Sequence, residues 1–565
     1  LDFWWELAAL VTIMLLGHWQ EMKAIGQAQN ALAALAELIP DEAEVVRGEG
    51  VTETVPIDTL AVGDVVLVRA GGRVPVDGEI LDGEAELDES MITGESRPVE
   101  KREGDRVVAG TVSTDSSLRI SVVAVGDDTA LAGIQRMVAD AQESSSRAQV
   151  LADRFAALLF YVAAGAALAT FVAWAALGDV DSAVVKTVTV LVIACPHALG
   201  LAIPLVIAIS TAVSARAGIL VKDRLALERM RTIDAVLFDK TGTLTKGAHV
   251  VTGVAAADTV DEDRMVAIAG AVESDSEHPL ARAITAEAAR RGDVPAATDF
   301  RARTGRGVDA VVDGEQYSVG GPALLRELGA PVPGEVQRRT DEWVARGAAA
   351  LYLFHGDGII GAFALEDEVR PEARQAVDEL KAMGIQVVMI TGDAQQVADA
   401  VGAELGLDRV MAEVLPEDKD RAVSELQAQG LSVAMVGDGV NDAPALARAD
   451  VGLAIGAGTD VAIESAGVVL ASSDPRSVTG VVRLSRASYR KMVQNLAWAA
   501  GYNIVAIPLA AGVFAWAGLD LSPAVGAILM SLSTIVVALN AQLLRRVDLQ
   551  LDPIAEEEVT SASLD

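Results

Sequence analysis

Three short segments and a lysine carry residue types suited to phosphoryl transfer. Ala235-Val-Leu-Phe238 is apolar throughout, as a short buried strand is, and Asp239 stands at its end, followed by Lys240-Thr241-Gly242-Thr243-Leu244-Thr245. A carboxylate so placed can attack the γ-phosphorus of ATP to form an acyl phosphate, and the turn after it offers backbone N–H groups to the phosphoryl oxygens. A second such strand, Gln386-Val-Val-Met-Ile390, ends at Thr391-Gly392-Asp393, which offers a hydroxyl and a backbone N–H. A third, Ser432-Val-Ala-Met-Val436, runs into Gly437-Asp438-Gly-Val-Asn441-Asp442-Ala-Pro444 and brings paired carboxylates, while Lys419 supplies a cation. Phosphoryl transfer needs this set: a nucleophile, carboxylates to hold Mg²⁺ and positive charge on the equatorial oxygens. Each segment alone is also what an ordinary turn looks like, so the weight lies on their order along successive expected strands.

A different chemistry is written into an apolar run. Val190-Leu-Val-Ile-Ala194 leads into Cys195-Pro196-His197. Proline removes a backbone N–H and opens a helix, without which residues two apart point about 200° from each other. Unwinding lets thiolate and imidazole approach one ion; the thiolate favours soft Cu⁺ or Ag⁺, and the imidazole widens acceptance toward Cu²⁺ and Zn²⁺. Two later apolar runs carry Tyr502-Asn503 and Met530-Ser531-Leu-Ser533-Thr534, groups that are costly in a membrane unless they face one another or an ion.

The elements that must position these groups belong to a multidomain membrane protein. The 565 residues hold 45 Lys and Arg against 80 Asp and Glu, a net charge of −35 that argues against nucleic acid as a partner and suits a surface kept hydrated at high salt. One Cys and five His exclude a disulfide framework or a zinc ribbon. Mean hydropathy is nevertheless +0.35, because apolar residues are concentrated. Five stretches have the length of a span, near residues 3 to 22, 155 to 177, 184 to 213, 494 to 517 and 522 to 544. Arg216, Lys222, Arg224, Arg483, Arg486, Arg490, Lys491, Arg545 and Arg546 flank the polar blocks, whereas the turns at 178–182 and 517–523 carry no basic residue. Both polar blocks are therefore expected in the cytoplasm and the protein in the cell membrane as a multi-pass chain.

The first polar block alternates Val and Thr with Gly and Pro turns, the pattern of a small β domain; the second repeats strand and helix, the pattern of a parallel α/β sheet, interrupted by a segment of different character. The expected division is a span and stalk over 1–40, the β domain over 41–145, a transmembrane hairpin over 146–215, the α/β domain over 216–248 and 363–485 with its insert over 249–362, a second hairpin over 486–545 and a tail over 546–565.

The run Asp239-Lys-Thr-Gly-Thr-Leu-Thr245 resembles the signature of the P-type ATPases, and the other segments follow in that family's order. The resemblance implies an α-helical transmembrane bundle with a β actuator domain, a haloacid-dehalogenase-like phosphorylation domain and an inserted α+β nucleotide-binding domain. It implies Asp239 as the phosphorylated residue, Asp239, Asp438, Asp442 and the Thr241 carbonyl as Mg²⁺ ligands, and Lys419, Thr391, Gly392 and Asp393 around the phosphate. Soluble relatives usually carry a second Asp where Thr241 stands, so the aspartyl phosphate is expected to persist until another domain supplies hydrolysis. Thr93-Gly94-Glu95-Ser96 is similar to the actuator loop that does so, with Glu95 as its carboxylate. Glu273 through His278-Pro279, and Thr304-Gly305-Arg306-Gly307, resemble the ATP-binding elements of the heavy-metal branch, with Lys240 and Thr241 also facing the nucleotide; at Gly320-Gly321 many members have Gly-Asn.

Cys195, His197, Tyr502, Asn503, Met530 and Ser531 resemble the ion site of the Cys-Pro-His subgroup associated with copper and silver export. The implied function is ATP-driven export of Cu⁺ or Ag⁺, with a cytoplasmic metal chaperone as a compatible partner. The alternatives are a divalent cation, Cu²⁺, Zn²⁺ or Co²⁺, and a membrane-anchored phosphatase without transport. Measured against the family, the chain looks shortened by three membrane helices and any metal-binding extension at its N-terminus.

Overall fold

The structure is a computed structural model and describes residues 8, 11, 12, 15, 16, 18, 19, 22, 23, 40, 42–47, 51–90, 98–133, 136, 147–194, 197–257, 260–276, 278–303, 306–345, 347–356, 358–456 and 460–549. It divides into two compact units, one of Leu1–Thr232, Ala466–Ser472 and Ser477–Asp565, the other of Ile233–Ser465 and Ser473–Arg476.

In the first unit, short strands between Glu42 and Ala124 form two antiparallel sheets, of six and three strands. The period-two pattern of the sequence decides their faces: Val66 and Val68, and Leu118, Ile120 and Val122, alternate inward and meet Ile80 and Val45 in one core. Helices follow: Arg147–Ala176 (α1), Val180–Ile193 (α2), His197–Ala202 (α3) and Pro204–Arg216 (α4). The expected span over 184–213 is therefore not one helix. Pro204, at the first position of α4, lacks the N–H that would carry α3 onward, and α2 ends at Ile193, ahead of Cys195 and Pro196, which lie outside the described residues.

The second unit is built on Ala235–Asp239 (β1), every residue of which is buried. After it the chain makes a six-stranded antiparallel sheet. Thr245–Ala256 (β2) leads to the helices Glu262–Glu273 (α5) and Pro279–Arg291 (α6), then to Ala297–Arg303 (β3), Gly307–Val312 (β4), Glu315–Gly320 (β5), Ala349–His355 (β6) and Gly358–Val369 (β7), in the sheet order β2-β7-β6-β5-β4-β3. Apolar residues cover both of its faces, Met265, Ile284 and Leu353 in one cluster and Leu324, Trp343 and Phe354 in another. The paired strands β2 and β7 tether this sheet from Thr245 to Val369.

The chain then returns to the first sheet through Gln386–Ile390 (β8), Arg409–Met411 (β9), the helix Lys419–Ala428 (α7), Val433–Gly437 (β10) and Val451–Ile455 (β11). The parallel order β11-β10-β1-β8-β9 places β1 at the centre, where helices on both faces explain why its residues read as continuously apolar.

Two long helices close the chain, Arg476–Ala510 (α8) and Pro523–Gln542 (α9). Among the described residues, the stretches long and apolar enough to cross a membrane are Arg154–Ala176, Leu199–Arg216 and Pro523–Arg546. The expected span near 3 to 22 falls mostly outside the described residues. That expected over 494 to 517 ends as a helix at Ala510, because Gly512 takes a left-handed φ of 77°; Gln494, Asn495 and Asn503 dilute its apolar character.

Candidate functional site

Three neighbouring strands deliver their polar residues to one edge of the parallel sheet. Asp239 ends β1, Thr391 follows β8 and Asp438 follows β10, so the groups converge where such sheets place their chemistry. Lys419, at the start of α7, bridges two carboxylates: its Nζ lies 2.8 Å from Asp239 Oδ1 and 2.7 Å from Asp442 Oδ1. The second oxygen of Asp442 accepts from Gly439 N–H at 3.1 Å. Gly242, with φ of 74°, lets the loop pass Asp438; a Cβ there would come within 2.0 Å of Asp438 Oδ2.

Electrostatics make this cluster incomplete by itself. Asp239, Asp438 and Asp442 each have an oxygen within 4.8 Å of the others. Burial, and then Asp442, push Asp239 up to about 7 against the opposing pull of Lys419. Burial and Asp442 also raise Asp438. Burial works to lower Lys419, but Asp239 and Asp442 outweigh it and hold the ammonium above its ordinary range. Two buried carboxylates and a half-buried third with one lysine fit a divalent cation, whose charge would favour the ionised form of Asp239 and Asp438.

The loop is supported by residues named from the sequence motifs and by two, Arg370 and Asp367, that motif spacing does not reveal. Lys240 pairs with Asp393, whose Oδ2 also accepts from Thr391 Oγ1 at 2.9 Å, so these three residues brace one another. Arg370, at the end of β7, donates to the carbonyls of Thr245 at 3.1 Å and Gly242 at 3.3 Å, and Asp367 accepts from Thr245 Oγ1 at 2.5 Å. The buried Thr243 hydroxyl has no partner among the described residues.

In the antiparallel sheet, Glu273, Ser276, His278, Arg303, Gly307 and Gly321 line a cleft of about 430 Å³. His278 caps α6, its Nδ1 accepting from Leu280 N–H at 3.2 Å, with Pro279 at the first helical position. Gly307 and Gly320 face each other across β4 and β5; a Cβ on Gly307 would lie 2.1 Å from the Val319 carbonyl, so only glycine permits this approach. At Gly321 a Cβ would meet only Leu351, at 3.6 Å, so the backbone has room for a side chain there.

Among the helices of the first unit, the hydroxyls of Tyr502, Ser531 and Ser533 and the amide oxygen of Asn503 are buried without a partner among the described residues. Asn503 donates to Ala499 O at 2.9 Å, and Met530 is buried beside Thr534, whose hydroxyl bonds the Met530 carbonyl at 3.2 Å. Cys195 and the side chain of His197 lie outside the described residues, as do Thr93, Gly94, Glu95 and Gly305.

Comparison with known proteins matches two parts of the chain to family models. Residues 233–450 match the haloacid dehalogenase-like hydrolases and residues 37–139 the P-type ATPase actuator domain. A copper-exporting P-type ATPase B of Archaeoglobus fulgidus is 49% identical over 96% of this chain and 78% of its own length. One from Enterococcus hirae is 44% identical over 96% of this chain and 73% of its own. The chain belongs to the P-type ATPases. Its fold is similar to that of a zinc-transporting PIB-type ATPase in the E2.Pi state, with a TM-score of 0.63, 34% identity, and coverage of 95% of this chain and 87% of the other.

This P-type ATPase is thus an ATP-hydrolysing, multi-pass membrane enzyme of the heavy-metal branch, with a HAD-like phosphorylation domain and a β actuator domain. ATP, Mg²⁺ and a heavy-metal cation are what the family requires. One consequence concerns the cleft. Burial raises the Glu273 carboxyl to about 7 from its ordinary 4.5, opposed by a hydrogen bond from Ser276. The fold therefore accommodates Glu273 neutral; its stabilising contribution is complete below 4.5 and is lost as pH rises through about 7. Glu273→Gln is expected to raise the unfolding temperature at pH 8, by a stability increment of up to about 3 kcal/mol, and to leave it unchanged at pH 4. Thermal scans of the ATP-free protein at the two pH values check this, and an equal shift at both would refute it.

Proposed function

We propose that this ATPase phosphorylates itself on Asp239 and uses the aspartyl phosphate to export Cu⁺ or Ag⁺ from the cytoplasm. The observation that carries the catalytic half is the buried carboxylate at the end of β1 that shares Lys419 with Asp442 and lies beside Asp438. Lys419 holds Oδ1 of Asp239, which leaves Oδ2 to attack. The Oδ2–phosphorus bond forms as the bond from the γ-phosphorus to the bridging oxygen breaks, and ADP departs with that oxygen. Asp239, Asp438, Asp442 and the Thr241 carbonyl would hold Mg²⁺, which supplies charge neutralisation between phosphate and carboxylates. Thr391, Gly392 and Lys419 face the phosphoryl oxygens, with Lys240 and Asp393 bracing that edge. Glu273, His278, Pro279, Gly305 and Gly307 receive the nucleotide. Thr93, Gly94 and Glu95 bring water to the phosphoenzyme; Glu95 takes a proton from it as its oxygen bonds to phosphorus and the Asp239 carboxylate leaves.

For the cation, the supporting observation is the set of orphaned polar groups on α8 and α9. Tyr502, Asn503 and Ser531 are costly in an apolar bundle unless an ion completes them, and Met530 adds a soft thioether. With Cys195 and His197 from the interrupted α2–α3 segment they make a site suited to a monovalent soft metal, delivered by a cytoplasmic metal chaperone. Metal dependence of ATP hydrolysis in lipid tests this. Cu⁺ and Ag⁺ are expected to stimulate by about tenfold or more, with the effect lost in Cys195→Ala. Stimulation by Zn²⁺, Co²⁺ or Cu²⁺ alone would replace the cation, and hydrolysis indifferent to every metal would point to a phosphatase.

A further inference from the structure

A charged pair sits at the end of the helix bundle away from the basic flanks. Lys186 belongs to α2, which starts beside the turn at 178–182, and Asp520 belongs to the connection between α8 and α9; neither segment carries the positive charge that marks the cytoplasmic side. Lys186 is buried, at 3% exposure, and pairs with Asp520, whose side chain is 64% exposed. The ammonium also lies 5.4 Å from the centroid of the Trp174 ring. Trp174 Nε1 donates to the Ala511 carbonyl at 3.0 Å, which joins α1 to the same connection. Gly512 leaves the slot that the lysine stem fills, since a Cβ there would come within 2.6 Å of Lys186 Cδ and 3.0 Å of Trp174 Cζ2.

This arrangement is poorly suited to mere fastening. A buried lysine gives up its hydration, and a carboxylate that remains in water repays little of it. An ionisable group inside a membrane bundle is retained where charge is needed on an ion route. Lys186 shares the buried face of α2 with Thr189, Val190 and Ile193, which leads to Ala194 and Cys195. Seven positions along α2 carry Lys186 to Ile193 at its end, about 10 Å along the helix axis. Opposite that face stands α9: a Cβ on Gly526 would lie 3.6 Å from Thr189 Cγ2 and 3.8 Å from Ile193 Cβ, and Met530 is one turn further along.

We propose that Lys186 and Asp520 form the outer gate of the ion route. Paired, they latch α2 to the α8–α9 connection and close the corridor between the soft-metal ligands and the outside, which bars cations from returning; the route opens when the pair parts. The proposal rests on the transport reading above and assigns both residues a positioning role.

The test uses the whole protein in liposomes with its catalytic domains outward, and Ag⁺ as the probe on either side. In Asp520→Asn and Lys186→Met, the lumenal Ag⁺ concentration that halves turnover is expected to fall by about tenfold or more, while Ag⁺ on the catalytic side supports phosphorylation from ATP within about twofold of the unmodified protein. Lys186→Arg, which keeps the charge, is expected to restore the unmodified response. Lumenal inhibition that does not move in Asp520→Asn, or equal shifts on both sides, would overturn the gate. Should Lys186→Met not fold, Asp520→Asn decides, because its side chain is largely in water. If the unmodified protein forms no Ag⁺-dependent phosphoenzyme, the transport reading itself fails; if it does and the variants respond as it does, the gate alone fails.

Discussion

Asp239→Asn is expected to abolish the acid-stable phosphoenzyme, by about a thousandfold or more, and yet to make the magnesium-free protein more stable at pH 8. The first effect follows because an amide cannot carry the phosphoryl group as an acyl phosphate. The second follows from the sign of the shift at this residue. Burial and Asp442 raise Asp239 to about 7 from 3.8 despite Lys419, so its contribution to stability is complete below 3.8 and is lost as pH rises through about 7. Asparagine removes that loss, worth at most about 4 kcal/mol for a shift of this size. Added Mg²⁺ should stabilise the unmodified protein more than the variant and narrow the difference. Labelling from γ-labelled ATP and thermal scans with and without Mg²⁺ measure both effects. Retained labelling would move the nucleophile elsewhere, and a variant that melts lower without Mg²⁺ would show that Lys419 outweighs the burial of Asp239.

The centre of the phosphorylation site can be read from sequence because its information is local. In a parallel sheet covered on both faces, a strand is a short apolar run, and the first polar residue after it lies at the functional edge; Asp239, Thr391 and Asp438 each occupy such a place. Pairing across distance leaves no local mark. Lys419 reads as a phosphate contact from its charge alone, whereas in the fold it is already bound to two carboxylates. Arg370 grips the loop at Gly242 from 128 residues away, and nothing in the spacing connects them. The same holds for the glycines of the cleft, where Gly307 is required because strand register sets Gly320 opposite it.

In the helical bundle, composition locates apolar stretches but not the breaks within them. The run over 184–213 looks continuous by hydropathy, and the proline at the head of α4 divides it. Beside the break, the Ala202 carbonyl accepts from Asn495 of α8 at 3.1 Å; Asn495 in turn accepts from Asn540 of α9 at 2.8 Å. Two asparagines that lower the apolar character of their helices are thereby accounted for, Asn495 as a donor to a neighbour's backbone and Asn540 as the partner that orients it. Lys186 shows the limit from the other side: one charge in an apolar run barely alters its hydropathy, and only the positions of Asp520, Trp174 and Gly512 give it a site.

Lys419→Met should produce the second large effect and one change of opposite sign. Lys419 is 7% exposed and its ammonium contacts both Asp239 and Asp442, so its loss leaves three mutually repelling carboxylates without that cation. Phosphorylation from ATP is expected to fall by about a hundredfold or more, the usual scale for removing a preorganised charge from a reacting centre. Lys419 pulls Asp239 downward, so in the variant the nucleophile should ionise at higher pH and the residual rate should rise over a more alkaline range. The carboxylate cluster becomes more negative, and Mg²⁺ should half-saturate the site at a lower concentration than in the unmodified protein. Lys419→Arg should not restore the rate, because the planar guanidinium needs more room than a buried point charge held between two oxygens. Phosphoenzyme formation measured against pH and against Mg²⁺ separates these effects. A variant slower at every pH with weaker Mg²⁺ binding would indicate collapse of the loop, whereas slower chemistry with tighter Mg²⁺ binding is the signature of a lost charge.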